Sequence, residues 1–168
     1  ISYLIGPAVI PWLKQRQKEG QPIRYDGPEE HLKKKGTPTM GGLLILSAGI
    51  VSTLLWARLD NPYVWIVLGV TLAFGLIGFA DDYAKVTKMN TKGVSGKIRM
   101  GLGLLVAAIA GYAAAVNHPP ALTGQLAVPV LKDTLINLSI LFVPFAMIVI
   151  VGAANAVNLT DGLDGLAI

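Results

Sequence analysis

Cysteine is absent from the 168 residues, which excludes disulfides and thiolate metal sites. Charge is scarce as well. Only 14% of the residues are charged and 53% are hydrophobic, whereas soluble domains are about a quarter charged. That deficit favours a membrane class. Residues 61–80 contain no ionisable acid or base. A basic start and a small-residue cleavage site are missing from residues 1–13, so no cleavable signal peptide is expected there. That stretch carries Pro7 and Pro11 and falls short of the ~20 residues needed to cross a bilayer. It reads as the tail of a membrane helix. The last residues, 165–168, read as the start of another apolar run. These two ends predict a truncated single integral-membrane domain.

What is present is a series of apolar runs with an uneven distribution of lysine and arginine. Spans are expected at residues 1–13 (partial), 41–57, 61–80, 98–116 and 134–157. A tight turn at Asp60-Asn61-Pro62 separates two of them, and Asn117-His118-Pro119-Pro120 stops a third. Pro144 predicts a kink in the last span. Seven basic residues fall in 14–35 and five in 85–99, twelve of the fourteen in the chain. The positive-inside rule therefore puts loops 14–40, 81–97 and 158–165 in the cytoplasm. Topology accounts for the net charge of +4. No recognition helix or aromatic platform accompanies it, so nucleic acid is not expected as a partner.

Three polar segments converge on the cytoplasmic side in this topology. The first is Asp81-Asp82, at the inner end of an uncharged span, where acids are expensive and usually functional. If the span is a helix ending there, each carboxylate opposes the helix dipole by ~0.3–1 kcal/mol. Neighbouring helical positions diverge by ~100°, so one acid is expected to meet a metal or substrate while the other holds a lysine. The plain alternative is an interface cap neutralised by Lys85, Lys88 and Lys97. The second segment places Asn155, Asn158, Asp161 and Asp164 at three-residue intervals, with Gly162 and Gly165 opening a turn. That set suits a ligand with many donors, such as a nucleoside. The third, Gly36-Thr37-Pro38-Thr39-Met40-Gly41-Gly42, has phosphate-loop spacing without the required Lys-Ser/Thr. It is either an anion-ready helix entry beside Lys33, Lys34 and Lys35 or a plain glycine-rich one. His118 reads as structural, and His31 lacks metal partners. Carboxylates, lysines and free backbone N–H groups at a membrane surface favour phosphoryl transfer onto a lipid, normally with magnesium.

The segments Asp26-Gly27-Pro28-Glu29-Glu30-His31, Lys35 to Gly42, Gly78-Phe79-Ala80-Asp81-Asp82-Tyr83 and 155–165 occur in this order. Together they resemble the motifs of phospho-N-acetylmuramoyl-pentapeptide transferases, a branch of the polyprenyl-phosphate sugar-1-phosphate transferases. The resemblance implies an all-α polytopic bundle, part of a ten-helix and often dimeric fold in the bacterial inner membrane. It implies transfer of phospho-MurNAc-pentapeptide from UDP to undecaprenyl phosphate, giving lipid I and UMP, with Mg2+ as cofactor. By motif match Asp81 would be the base, with Asp82 beside it, and the pair would contribute to the metal site. An alternative reading makes one of the two a covalent nucleophile. Lys34, Thr39, Lys85 and Lys97 would line the phosphate path. Asn155, Asn158 and Asp161 would face the cleft, and Gly162, Leu163 and Asp164 would hold the uridine. The family's main magnesium ligand and a histidine cluster lie in later motifs that are not in these residues, so the piece alone is expected to be inactive. Competing readings are another sugar-1-phosphate transferase of the same family, an ion-coupled transporter using Asp81 and Asp82 at a gate, and a non-catalytic scaffold.

Overall fold

The computed structural model describes residues 2–16, 40–88, 93–128 and 135–160. Five α-helices dominate it: α1 Ser2–Arg16, α2 Gly42–Trp56, α3 Pro62–Lys88, α4 Gly96–Asn117 and α5 Phe142–Thr160. Among the described residues three stretches are long and apolar enough to cross a membrane: Pro62–Lys88, Gly96–Asn117 and Ser139–Asn158. Large apolar side chains face outward, among them Ile148 at 71% exposure and Ile45 at 71%. In water such a surface would drive aggregation; in lipid it is the expected exterior. The chain is an all-α polytopic membrane protein.

Two compact units divide the chain. The first comprises Ile1–Asp60 and Thr71–Arg99. Here α1 packs on α2, and Gly6 leaves room for Leu44: an added Cβ would lie 3.7 Å from its Cδ2. Gly75 on α3 does the same for Leu46, where an added Cβ would come within 2.5 Å of the methyl. Small residues at such contacts let helix backbones approach closely in lipid. The α2 helix ends where Ala57 turns to extended backbone and donates its N–H to Thr53 at 2.8 Å. Arg58 and Asp60 then form an exposed 2.8 Å ion pair, which holds the Asp60 carboxyl below its ordinary range.

The second unit comprises Asn61–Val70 and Met100–Ile168. Asn61 caps α3 by accepting the Tyr63 N–H at 3.0 Å, and Pro62 occupies the first helical position. The α4–α5 contact depends on Gly111, where a Cβ would come to 3.1 Å of Ala146. His118 sits between Tyr63 and Phe142, with ring centroids 5.7 Å from each, which agrees with the structural reading of that histidine. Between α4 and α5 lies a short antiparallel ribbon, β1 Gln125–Ala127 against β2 Leu135–Asn137. Apolarity alone had assigned β2 to the start of a membrane span. Instead, the Gly124 carbonyl accepts the N–H groups of Leu138 and Ser139, at 2.8 and 3.1 Å. Asn137 Oδ1 takes the Ser139 N–H as well, at 3.0 Å. These bonds turn the chain before a 3-10 segment, Ser139–Leu141, leads into α5. Pro144 therefore falls in the first turn of α5, where proline is tolerated.

Candidate functional site

Helix α3 is longer than the membrane requires. Twenty residues at 1.5 Å rise cover ~30 Å, the thickness of the hydrocarbon core. Counted from Pro62, that length is used up at Asp81. The helix does not end there, as the hydropathy reading had assumed. It runs six residues beyond Asp82, to Lys88. Two lysines, Lys85 and Lys88, occupy its last turn, where cations complement the dipole. The acids thus lie one to two turns inside the helix end. Pairs three and four residues apart meet on one helix face, and Lys85 uses both spacings. Its Nζ is 2.6 Å from Asp81 Oδ2 and 3.7 Å from Asp82 Oδ1.

Asp81 is the buried member, at 5% exposure, and the sole buried charged residue among those described. Such a carboxylate survives out of water only when its oxygens are satisfied. Oδ1 accepts the Val94 N–H at 2.8 Å. Oδ2 takes both Lys85 and Arg99 Nη1, the latter at 3.4 Å. Asp82 is more open, with 31% of its side chain exposed. Two carboxylates and two cations make the group formally neutral. Arg99 lies in the first turn of α4, where a cation opposes the helix dipole, and Asp81 offsets that. Gly93 precedes the donor Val94 with φ +55°.

The structure therefore brings together Asp81, Asp82 and Lys85, in one unit. Sequence reasoning missed Arg99, Gly93 and Val94 as members of this group. The available signal was a glycine between Lys92 and Lys97 shortly after the paired acids, which marks a turn back towards them. Lys97 stands exposed in the first turn of α4. Asn155 and Asn158 belong to the other unit. Asn155 is half-buried and donates to the Val151 carbonyl at 2.8 Å, while Asn158 is exposed. Helix α5 continues through both asparagines to Thr160. Lys34, Thr39, Asp161, Gly162, Leu163 and Asp164 lie outside the described residues. Among the described residues no three His, Cys, Asp or Glu side chains group as a metal site.

A family model described as glycosyl transferase family 4 matches residues 64–168, more than half of the chain. The chain belongs to glycosyl transferase family 4. Its match includes Asp81, Asp82, Lys85 and both asparagines. A second, shorter model, described as signature 1 of phospho-N-acetylmuramoyl-pentapeptide-transferase, matches residues 34–46. That stretch holds Lys34 and Thr39 and runs into α2. Family members named phospho-N-acetylmuramoyl-pentapeptide-transferase are similar throughout. The protein from Ruegeria pomeroyi is 68% identical over 167 residues, covering 99% of this chain and 46% of the relative. Its counterpart in Ruegeria sp. strain TM1040 is 65% identical over 167 residues, with the same coverage. The one from Dinoroseobacter shibae is 66% identical over 168 residues, again 99% and 46%. The chain thus spans a little under half the length of these curated relatives.

Proposed function

We propose that the full-length protein transfers phospho-MurNAc-pentapeptide from UDP-MurNAc-pentapeptide to undecaprenyl phosphate, yielding lipid I and UMP for peptidoglycan synthesis. The observation that carries this reading is the Asp81–Asp82–Lys85–Arg99 group at the depth where an apolar helix leaves the bilayer. The relatives' shared name over 99% of the chain supports it. A lipid phosphate and a nucleotide-linked sugar meet at such a depth without either leaving its own phase. The placement of the basic loops supports a site facing the cytoplasm of a bacterial inner membrane. A homodimer is part of the same proposal.

In the reaction, Asp81 takes the proton of the lipid phosphate. The freed phosphate oxygen attacks the phosphorus attached to the sugar. A new P–O–P bond forms, the bond to the uridylyl phosphate breaks, and UMP leaves with the electron pair. Lys85 is placed to follow the charge as it moves, and Lys97, with Lys34 and Thr39, would line the phosphate path. Asn155, Asn158 and Asp161 would face the cleft, with Gly162, Leu163 and Asp164 at the uridine. Magnesium, bound with the substrate phosphates, would neutralise the charge built up in transfer. Asp82, the more open carboxylate, fits as one of its ligands. Asp81 fits less well, because Lys85 and Arg99 both lie on its Oδ2, while Oδ1 accepts the Val94 N–H and keeps a lone pair for the proton.

The test is transfer of radiolabelled phospho-MurNAc-pentapeptide to undecaprenyl phosphate by purified full-length protein. Asp81→Asn should reduce kcat by ~100-fold or more, in the range of lost general-base catalysis, and chelation of magnesium should abolish turnover. Wild-type turnover in Asp81→Asn removes the assignment.

A further inference from the structure

We infer that Gly93 is a positioning residue for the reaction: its left-handed turn and missing side chain hold the Asp81 carboxylate where it acts. The inference rests on the reading that Asp81 carries the chemistry. Two observations meet at this glycine. Its φ of +55° is a conformation that L side chains rarely adopt. That turn aims the next N–H, of Val94, onto Asp81 Oδ1 at 2.8 Å. Independently, a Cβ built on Gly93 would collide with Asp81 Oδ1 and would lie 2.9 Å from Lys85 Cε and 3.1 Å from Asp81 Cγ. The three nearest atoms all belong to the Asp81–Lys85 pair.

The consequence differs from that of an ordinary strained glycine. The colliding atoms belong to side chains and not to backbone, so Asp81 and Lys85 yield before the chain does, at the expense of the Val94 hydrogen bond. What moves is the carboxylate itself, together with the lysine beside it. Arg99 approaches Asp81 Oδ2 from the start of α4, so displacement on the Oδ1 side leaves the acid held from one direction only. A substitution at position 93 should therefore lower turnover, with a stability loss through this group no larger than that of removing Asp81. Affinity for the nucleotide sugar should hold, because the residues assigned to its uridine, Gly162, Leu163 and Asp164, are not the displaced pair.

Two variants of the full-length enzyme separate backbone strain from displacement. Alanine at 93 brings both the Cβ and the left-handed strain. Asparagine brings the Cβ but tolerates the left-handed region. Gly93→Ala and Gly93→Asn are both expected to lower kcat at least tenfold. KM for the nucleotide sugar should stay within threefold of wild type, and Gly93→Asn should melt nearer to wild type. Gly124, the other described glycine with positive φ, at +72°, supplies the control. Gly124→Ala should lose melting temperature yet keep kcat. Recovery of turnover in Gly93→Asn would assign the effect to strain and overturn the proposal. A second readout is independent of activity. In an Asp81→Ala background the carboxylate is gone, so Gly93→Ala should lower the melting temperature less than it does in wild type. Additive shifts would overturn positioning. Wild-type turnover in Asp81→Asn would instead remove the functional reading, and the melting coupling alone would then decide whether Gly93 places the carboxylate.

Discussion

Asp81 gives up water for three protein donors, and the trade holds only while all three are in reach. Its side chain is 7% exposed, against 20% for Lys85 and 37% for Arg99. Removing the acid leaves two cations able to turn towards solvent and one stranded N–H. Asp81→Ala is therefore expected to destabilise the full-length protein by about 2–3 kcal/mol, as for a lost charged hydrogen bond. That lies below the full penalty of breaking a buried pair, because the partners can be rehydrated. Asp82→Ala should lose less, since its 3.7 Å contact with Lys85 is long and partly screened. Chemical denaturation of the purified variants measures both. An Asp82→Ala loss equal to that of Asp81→Ala would mean that the two acids are not distinguished by burial. The paired acids were visible in the sequence as a costly feature, but which one is enclosed was not. That distinction depends on Val94 and Arg99, which lie 13 and 18 residues away from Asp81 and reach it only when the chain turns at Gly93.

Among the elements, those written by local chemistry were the legible ones. Asn61 and Pro62 are a helix-start signal in themselves, and the structure uses both as such. The continuation of α3 past Asp82 was hidden because two acids near an apolar boundary look like a terminus. The i+4 pairing with Lys85 carries the helix through. The β1–β2 ribbon was hidden for a different reason. Leu135 and Ile136 are apolar enough to merge with the membrane run that follows, and strands of three residues leave no periodic trace. Glycines on helices announced close contacts without saying which ones formed. Of Gly101, Gly103 and Gly111, it is Gly111 whose added Cβ would meet Ala146 and Val143 across the α4–α5 contact, whereas Gly101 has nothing within 4 Å. Gly111→Leu should overpack that contact and reduce stability by about 1–3 kcal/mol. Thermal unfolding in detergent measures it, and an unchanged melting temperature would mean that the two helices do not rely on close approach there.

For the whole molecule, the proposed reaction needs the acids and the asparagines on one face of the bilayer, and α3 and α5 supply a direct test. Helix α3 has 27 residues, ~40 Å at 1.5 Å per residue, enough to cross a ~30 Å core with its charged end outside. The ion-paired Asp60 precedes it and Lys88 closes it. In the proposed topology α4 would lead back across and α5 would return, so Asn158 is expected on the same side of the membrane as Lys88. By the positive-inside rule the basic residues at 85–99 are expected on the cytoplasmic side. Single reporter cysteines at Asp60, Lys88 and Asn158, in a cysteine-free full-length background, read the arrangement. In right-side-out vesicles a membrane-impermeant maleimide should label Asp60→Cys, and should reach Lys88→Cys and Asn158→Cys only after permeabilisation. In inverted vesicles the pattern should exchange. If Lys88→Cys and Asn158→Cys were labelled from opposite faces, an odd number of crossings would separate them in place of the two expected of α4 and α5. A nucleotide sugar held by the asparagines could not then meet a lipid phosphate activated at Asp81.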